Sequence, residues 1–217
     1  AWLIAGYEAL RQAFRDEVAF PAGEWYRRVI EPTQGRTFES MDGPDHHLYR
    51  RLATPAFRSR AVTQMEDQGL AKIAYELLDE LPDDDVIDLV HHYTSRFPFI
   101  LISRVLGIPL DREREFVSWA LGILRFDQNA ARQFTHYLLP VLAERRLDPG
   151  KDVISELLHV EVEGKRLEDE EVLSHIRLLF SAGATTTHDA LGNLLWAILT
   201  HRDQLSAIQE DPRRLTA

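Results

Sequence analysis

The length, charge and residue content of this chain exclude several classes of protein. It has 217 residues, a formal net charge of −10, 45% hydrophobic residues and no cysteine. The hydrophobic content suffices for a sizeable core, and the negative charge argues against a nucleic-acid-binding protein, which presents positive charge to phosphates. Without cysteine, the chain has no disulfide, zinc–thiolate site, iron–sulfur cluster or cysteine nucleophile of its own.

The sequence predicts a protein without a membrane anchor. No apolar run approaches the roughly 20 residues that span a bilayer. Residues 1–4 lack the basic region and long apolar core of a signal peptide. We therefore predict a cytoplasmic protein with no membrane partner and no nucleic-acid partner.

The first 81 residues are predicted to hold one short strand and three helices. Residues 2–4 read as a strand that Gly6 ends, and 7–16 as a short helix. Two glycines and two prolines make 17–41 mostly loop. A helix begins near Pro44, a residue favoured in the first turn, and ends before Pro55. The next helix has Ser59 as its N-cap and an apolar repeat that runs to residue 81.

The rest of the chain reads as helices joined by short turns. The predicted helices cover residues 98–106, 116–125, 130–146 and 153–159, and Pro140 could introduce a kink in the third. Residues 160–164 could form a small hairpin arm. The last predicted helix, Asp169–Thr200, would be roughly 48 Å long at about 1.5 Å per residue. Its apolar circumference predicts that it runs through the centre of a mainly α protein.

The middle of this long helix departs from helix preferences. Residues 181–187 read Ser-Ala-Gly-Ala-Thr-Thr-Thr, although glycine costs about 1 kcal/mol against alanine inside a helix. Small residues let a large group approach the backbone, and threonine hydroxyls can bond the carbonyl four residues earlier. The segment is therefore either a functional site or a seam where helices pack closely, and its residue types alone favour the seam.

A second unusual stretch surrounds His46 and Arg50. The two residues are four apart, so on a helix they share a face and can together donate hydrogen bonds to one carboxylate or phosphate. The alternative is a solvated helix start in which the charges do little. Arg51, Arg58 and Arg60 follow closely and are either a solvated face or a surface for an acidic partner.

Together, these two stretches resemble the cytochrome P-450 family of heme-thiolate monooxygenases. Asp-Gly-Pro-Asp-His-x-x-x-Arg-Arg-Leu at 42–52 is similar to the family's propionate-binding helix, and Ala-Gly-Ala-Thr-Thr at 182–186 to its distal helix motif. Shorter agreements at 106–109, 152–158, 167–171, 203–205 and 211–212 occur in the order found in bacterial members. The resemblance covers nearly all of 1–217 and implies an incomplete P-450-like helical fold with minor β strands.

The resemblance implies a heme cofactor and roles for individual residues. His46 and Arg50 would bind the heme propionates, while Ala182 and Gly183 would leave room over the iron. Thr186 would be the oxygen-activating hydroxyl. Thr185 stands where the family has a carboxylate that relays protons, which puts the usual proton route in doubt. The chain contains no thiolate ligand for a metal, so we expect it to be the N-terminal and central portion of a longer protein, with segments missing at both ends.

The resemblance also implies partners. Dioxygen and a small organic substrate would react at the heme, with substrate contacts from residues 20–41 and 119–126. A ferredoxin or flavoprotein reductase would supply electrons, and Arg51, Arg58 and Arg60 are candidates to contact it. As given, the fragment alone would be inactive.

Two other functions remain open from the residues alone. His188 and Asp189 adjoin on the long helix, which would suit a metal-dependent hydrolase, although no set of ligands shows a tight spacing. A helical interaction module would explain the composition, but it leaves the glycine and threonines inside the long helix unexplained.

Overall fold

A computed structural model describes residues 3–54 and 69–216 of the chain, and these residues are mainly helical. The helices are α1 (Tyr7–Ala13), α2 (Gly23–Val29), α3 (Glu31–Gln34), α4 (Gly43–Ala53), α5 (Leu70–Asp79), α6 (Phe97–Leu106), α7 (Glu113–Leu124), α8 (Gln128–Leu147), α9 (Val153–His159), α10 (Asp169–Thr200) and α11 (Arg202–Glu210). Short 3-10 turns occur at Phe38–Ser40 and Pro212–Thr216, and a π-helical turn at Val90–Thr94.

The predicted helices with the strongest local signals are confirmed. α9 and α10 have the predicted bounds, and α4 and α6 begin within one residue of theirs. α6 ends where predicted because Gly107 adopts a φ of +86°, a left-handed conformation that glycine accepts at a helix end. Pro140 lies inside α8, which continues through it.

The loop predicted over 17–41 is wrong, because it contains α2, α3 and a 3-10 turn. Gly23 is the first residue of α2, and its amide donates to the carboxylate of Asp42 at 2.9 Å. Pro32 lies in the first turn of α3. Two of the four residues expected to break helices, Gly23 and Pro32, therefore lie at the start of a helix, where they are tolerated.

The predicted strand is not observed in the described residues, and the predicted hairpin arm is reduced to a single bridge. Leu3 and Ile4 form no strand in the described part of the chain. Around the predicted hairpin, Val162 and Lys165 form a single antiparallel bridge. The predicted N-cap Ser59 lies outside the described residues, which resume at Gly69, one residue before α5.

The N-terminal half of α10 is the centre of the core. The ring of Phe180 lies 6.1 Å from Phe99 of α6, 5.6 Å from Phe116 of α7 and 4.5 Å from Phe134 of α8. All four rings are fully buried. Four helices are thus held together by one aromatic cluster, since aromatic pairs at these distances add to the gain from burial.

The C-terminal half of α10 corrects the prediction of a helix buried along its length. From Thr186 onward, the described side chains are half-buried or exposed. Leu194 is 51% exposed and Trp196 is 67% exposed. The helix therefore leaves the core at its midpoint and presents apolar side chains on its outer half.

None of the helices in the described ranges is both long enough and apolar enough to cross a membrane.

The aromatic cluster predicts a large stability effect at Phe180. We expect Phe180→Ala to lower the free energy of unfolding by about 3–5 kcal/mol, because it removes a buried ring and leaves a cavity. Leu139→Ala on α8, where the side chain is half-exposed, is the control and should change it by about 0.5 kcal/mol. Urea titration measures both values, and equal losses would contradict the central place given to Phe180.

Candidate functional site

His46 and Arg50 line one cavity, as their spacing on a helix predicts. The cavity has a volume of about 580 Å³ and lies beside the first turns of α4. Most of its wall is apolar or aromatic, and none of the described residues that line it belongs to α10. The apolar part of the lining comprises Ile4, Leu10, Ala13, Phe14, Phe20, Ala22, Tyr26, Phe38 and Met41.

The imidazole of His46 has a defined orientation. Its Nδ1 lies 3.0 Å from the carbonyl oxygen of Phe38, and the two rings meet edge to face with centroids 6.2 Å apart. A carbonyl oxygen only accepts hydrogen bonds, so Nδ1 carries the proton. Within the described part of the chain, no residue bonds to Nε2.

Arg50 and the neighbouring Arg51 differ in their partners. Within residues 3–54 and 69–216, no carboxylate lies within ion-pair distance of the exposed Arg50 side chain. Arg51 donates to Glu163 at 2.8 Å, and this hydrogen bond raises the pKa of Arg51. Arg50 can therefore donate to an anionic group in the cavity, whereas Arg51 is already paired.

Three acidic side chains share the cavity with His46 and Arg50. They belong to Glu17, Glu39 and Asp42. Burial raises the pKa of Glu39, which favours its neutral form. Asp42 accepts a hydrogen bond from the Gly23 amide, so part of its charge is already satisfied.

α4 is attached to the first turn of α10 by a buried tyrosine. The hydroxyl of Tyr49 donates to Glu171 at 2.5 Å, and the tyrosine is almost fully buried. Burial, followed by the bond and the charge of Glu171, raises the pKa of Tyr49 to about 12. Burial by itself would raise the pKa of Glu171. The hydrogen bonds that Glu171 accepts from Tyr49 and from the Glu168 amide outweigh this effect, so the pKa of Glu171 is lowered. Tyr49 is therefore neutral and donates to a carboxylate at physiological pH.

The threonines at the middle of α10 do not break the helix. Thr185, Thr186 and Thr187 each donate to the carbonyl four residues earlier, at 2.8, 2.7 and 2.8 Å. α10 is continuous through this segment. The predicted hydrogen bonding of the threonines is therefore observed, without an opening of the helix.

The small residues of this segment face two different surroundings. Ala182 and Thr186 are exposed and lie one turn apart on the same face of α10, whereas Thr185 is buried. A Cβ at Gly183 would lie 2.9 Å from Cδ1 of Ile102 on α6. The missing side chain of Gly183 is thus explained by close packing of α10 on α6, as the seam interpretation predicts.

The structure does not bring the two predicted groups of residues into contact. α4 reaches α10 at Glu171, which precedes Ala182 by about three turns. The pair His46 and Arg50 faces the cavity, while Ala182 and Thr186 lie on an open face of α10. Arg58 and Arg60 lie outside the described residues.

The predicted substrate contacts at 119–126 are only partly accessible. Trp119 is 6% exposed and donates from Nε1 to Gln133 at 3.1 Å, and Ile123 is fully buried. Both side chains belong to the core. Leu124 and Phe126 at the end of α7 are exposed, and Phe20 and Phe38 of the other predicted segment line the cavity.

Sequence reasoning missed the hydrogen bond between the Phe38 carbonyl and His46, and it missed Arg177. The role of Phe38 depends on its backbone carbonyl, for which a sequence gives no signal. The sequence does contain an indication for Arg177. It is the one Lys, Arg, Asp or Glu between Glu171 and Asp189, inside the helix predicted to be buried. A charged residue in such a position is paired when it is buried.

A metal site built from His188 and Asp189 gains no support. Among the described residues, no group of three His, Asp or Glu side chains is arranged to hold a metal ion.

Comparison with known proteins identifies the family. No family model matches the chain. It is 32% identical to a cytochrome P450 of Bacillus subtilis over 97% of this chain and 56% of that protein. It is 33% identical to vitamin D(3) 25-hydroxylase of Pseudonocardia autotrophica over 100% of this chain and 56% of that protein.

A solved structure agrees with these relatives. Cytochrome P450 CYP109Q5 from Chondromyces apiculatus matches with a TM-score of 0.85 and 31% identity, over 96% of this chain and 55% of that one. The chain thus spans a little over half the length of the proteins it matches, and the similarity implies a heme cofactor. In sequence and in fold, this chain belongs to the cytochrome P450 family.

Proposed function

We propose that the chain is part of a heme-dependent monooxygenase that inserts one oxygen atom of dioxygen into a small organic substrate. The observation that carries this proposal is the cavity where His46 and Arg50, which has no ion-pair partner among the described residues, meet apolar walls in a chain of the P450 family. The metal-dependent hydrolase suggested by His188 and Asp189 would need a metal site, which the described residues do not form. An interaction module would not need two anion-binding side chains in one cavity.

The side chains of His46 and Arg50 fit the carboxylate edge of a heme. The macrocycle is apolar and carries two carboxylate tails, and the cavity combines an apolar wall with one guanidinium and one imidazole, beside the carboxyl groups of Glu17, Glu39 and Asp42. Arg50 and Nε2 of His46 would hold the carboxylates. When bound, the heme supplies the iron that activates dioxygen, and its thiolate ligand comes from outside these 217 residues because they contain no cysteine.

Ala182 and Thr186 are the residues of α10 proposed to face the reacting oxygen. Ala182 leaves space beside the helix, and the Thr186 hydroxyl is exposed on the same face. Its Oγ1 donates to the Ala182 carbonyl at 2.7 Å, so rotation of the hydroxyl would free a proton for transfer. The buried Thr185 donates to the Ser181 carbonyl and has no carboxylate, so proton transfer at this point would rely on the Thr186 hydroxyl.

The substrate is proposed to be a small organic molecule with a large apolar surface. One relative is named vitamin D(3) 25-hydroxylase, which indicates an apolar substrate for that protein. Phe20, Tyr26 and Phe38 give this chain aromatic side chains near His46 that could contact such a molecule.

A ferredoxin or flavoprotein reductase is proposed as the electron donor, and a cytoplasmic location stays a prediction from the sequence. Arg58 and Arg60 remain candidates for its docking surface. Arg51 contributes less free charge, since it is paired with Glu163.

The first prediction from the proposed function concerns Arg50, tested in the protein that contains this chain. Hydrogen bonds to charged groups are worth about 1.5–3 kcal/mol, so Arg50→Gln should weaken heme binding by about 10–100-fold. The matched control is Arg51→Gln, which changes the adjacent arginine and should leave binding unchanged because Arg51 is paired with Glu163. Heme dimethyl ester, which lacks the carboxylates, should bind the Arg50 variant and the unchanged protein equally. An equal loss for both hemes would contradict the assignment.

The second prediction concerns Thr186. Thr186→Ala removes the exposed hydroxyl and should lower the product formed per electron pair several-fold, with hydrogen peroxide released instead. Thr187→Ala is the control, because Thr187 makes the same type of bond to a carbonyl but is less exposed. Thr186→Ser should restore coupling, and equal uncoupling by Thr186→Ala and Thr187→Ala would remove the role from Thr186.

The third prediction concerns electron transfer. Replacing Arg58 and Arg60 by Gln should weaken reductase binding at low salt and have little effect at high salt, because exposed charges are screened within about 10 Å at 0.1 M. Binding measured across a salt series tests this expectation. A loss that does not depend on salt would exclude an electrostatic docking surface there.

A further inference from the structure

Residues 34–38, here called the bridging segment, connect α10 to His46. The segment begins at the last residue of α3 and ends at Phe38 in the following 3-10 turn. One end contacts Arg177 of α10, and the other end contacts the imidazole of His46. His46 is therefore held by an element other than its own helix.

Arg177 fixes the first end of the bridging segment. The residue is 5% exposed, and its Nε donates to the carbonyl of Gln34 at 2.8 Å. Its Nη1 donates to Oγ1 of Thr135 on α8 at 2.6 Å. Its Nη2 donates to Glu170 at 2.6 Å and to Ser174 at 3.0 Å. A buried guanidinium with four bonds to three helices has one favourable position, because any shift would leave a buried charge unsatisfied.

Gly35 brings the bridging segment against α10 at a distance that other residues would prevent. Its φ is +83°, a left-handed backbone conformation. A Cβ there would overlap Oγ of Ser174 and lie 2.5 Å from Nη2 of Arg177. The segment is therefore set by both the hydrogen bond to Arg177 and this close backbone contact.

Phe38 carries the contact on to His46. Its ring centroid lies 5.6 Å from that of His175 on α10, which is fully buried, and 6.2 Å from that of His46. Its carbonyl oxygen accepts from Nδ1 of His46 at 3.0 Å. The χ2 rotation of a histidine is soft, so this carbonyl decides which ring nitrogen is left for the cavity.

We propose that Arg177 is a positioning residue that acts through the bridging segment to orient His46 toward the anionic group of the ligand. The inference rests on the proposed function, in which that group is a heme carboxylate. Arg177 contacts neither the ligand nor His46. It holds Gln34, and thereby the Phe38 carbonyl, so that Nε2 of His46 is presented to the cavity.

The experiment measures heme loss from the complete holoprotein to an excess of a heme scavenger. Arg177→Met should accelerate heme loss roughly tenfold. This is the lower end of the loss in metal affinity seen when the partner that orients a metal-binding histidine is removed. Arg177→Lys keeps a donor for the Gln34 carbonyl and should restore part of the retention. Thr135→Val is the matched control, because it removes one bond of the same guanidinium and leaves the bond to Gln34.

Two further measurements separate positioning from a general loss of stability. After reconstitution with heme dimethyl ester, the unchanged protein and the Arg177→Met variant should release the ester at the same rate, since it has no carboxylate. In a His46→Gln background, Arg177→Met should cause no additional heme loss, because residues that act as a unit are not additive. If Arg177→Met fails to fold, Gly35→Ala displaces the bridging segment directly and should give the same pattern.

The outcomes distinguish this inference from the proposed function. Heme loss that is faster for both hemes, or additive with His46→Gln, would overturn the positioning role of Arg177 alone. If His46→Gln by itself leaves heme loss unchanged, the proposed role of His46 fails, and the inference fails with it.

Discussion

The burial of one half of a single 32-residue helix is the constraint on which the described structure depends. From Val172 to Thr185, most side chains of α10 are buried, and Phe180 joins the aromatic cluster formed with α6, α7 and α8. This contact fixes where three other helices lie. Beyond Thr185, the side chains of the same helix are half-buried or exposed. Its threonine-rich middle therefore lies at the border between core and surface.

Most polar groups inside the buried half have a partner in the helix or in a neighbouring element, although Nε2 of the buried His175 has none among the described residues. Ser181 and Thr185 donate to carbonyls four residues earlier, and Arg177 bonds to α3, α8 and the first turn of its own helix. Such groups cost little when they are satisfied, and they fix geometry more strictly than apolar contacts, since hydrogen bonds are directional. The buried face of α10 therefore both packs the core and sets the position of the segment that contacts His46.

The candidate site shows what the spacing of residues on a helix can predict. The interval of four between His46 and Arg50 placed both on one face of α4, and the structure puts both in one cavity. The family resemblance gave Gly183 a role in approach to the iron, whereas its close contact with Ile102 explains the glycine by packing. Spacing describes a helix face well, but it does not say which neighbour that face meets.

The sequence by itself determined the features that depend on residues within a few turns of one another. These include the ends of α4, α6, α9 and α10 and the back-bonded threonines, because a proline, a glycine or an apolar repeat acts locally. Only the tertiary structure decided which half of α10 is buried. It also decided the bonds from Tyr49 to Glu171 and from Arg177 to Gln34, which join residues 122 and 143 positions apart. Contacts over such separations depend on how whole helices pack, and no local pattern in the chain records them.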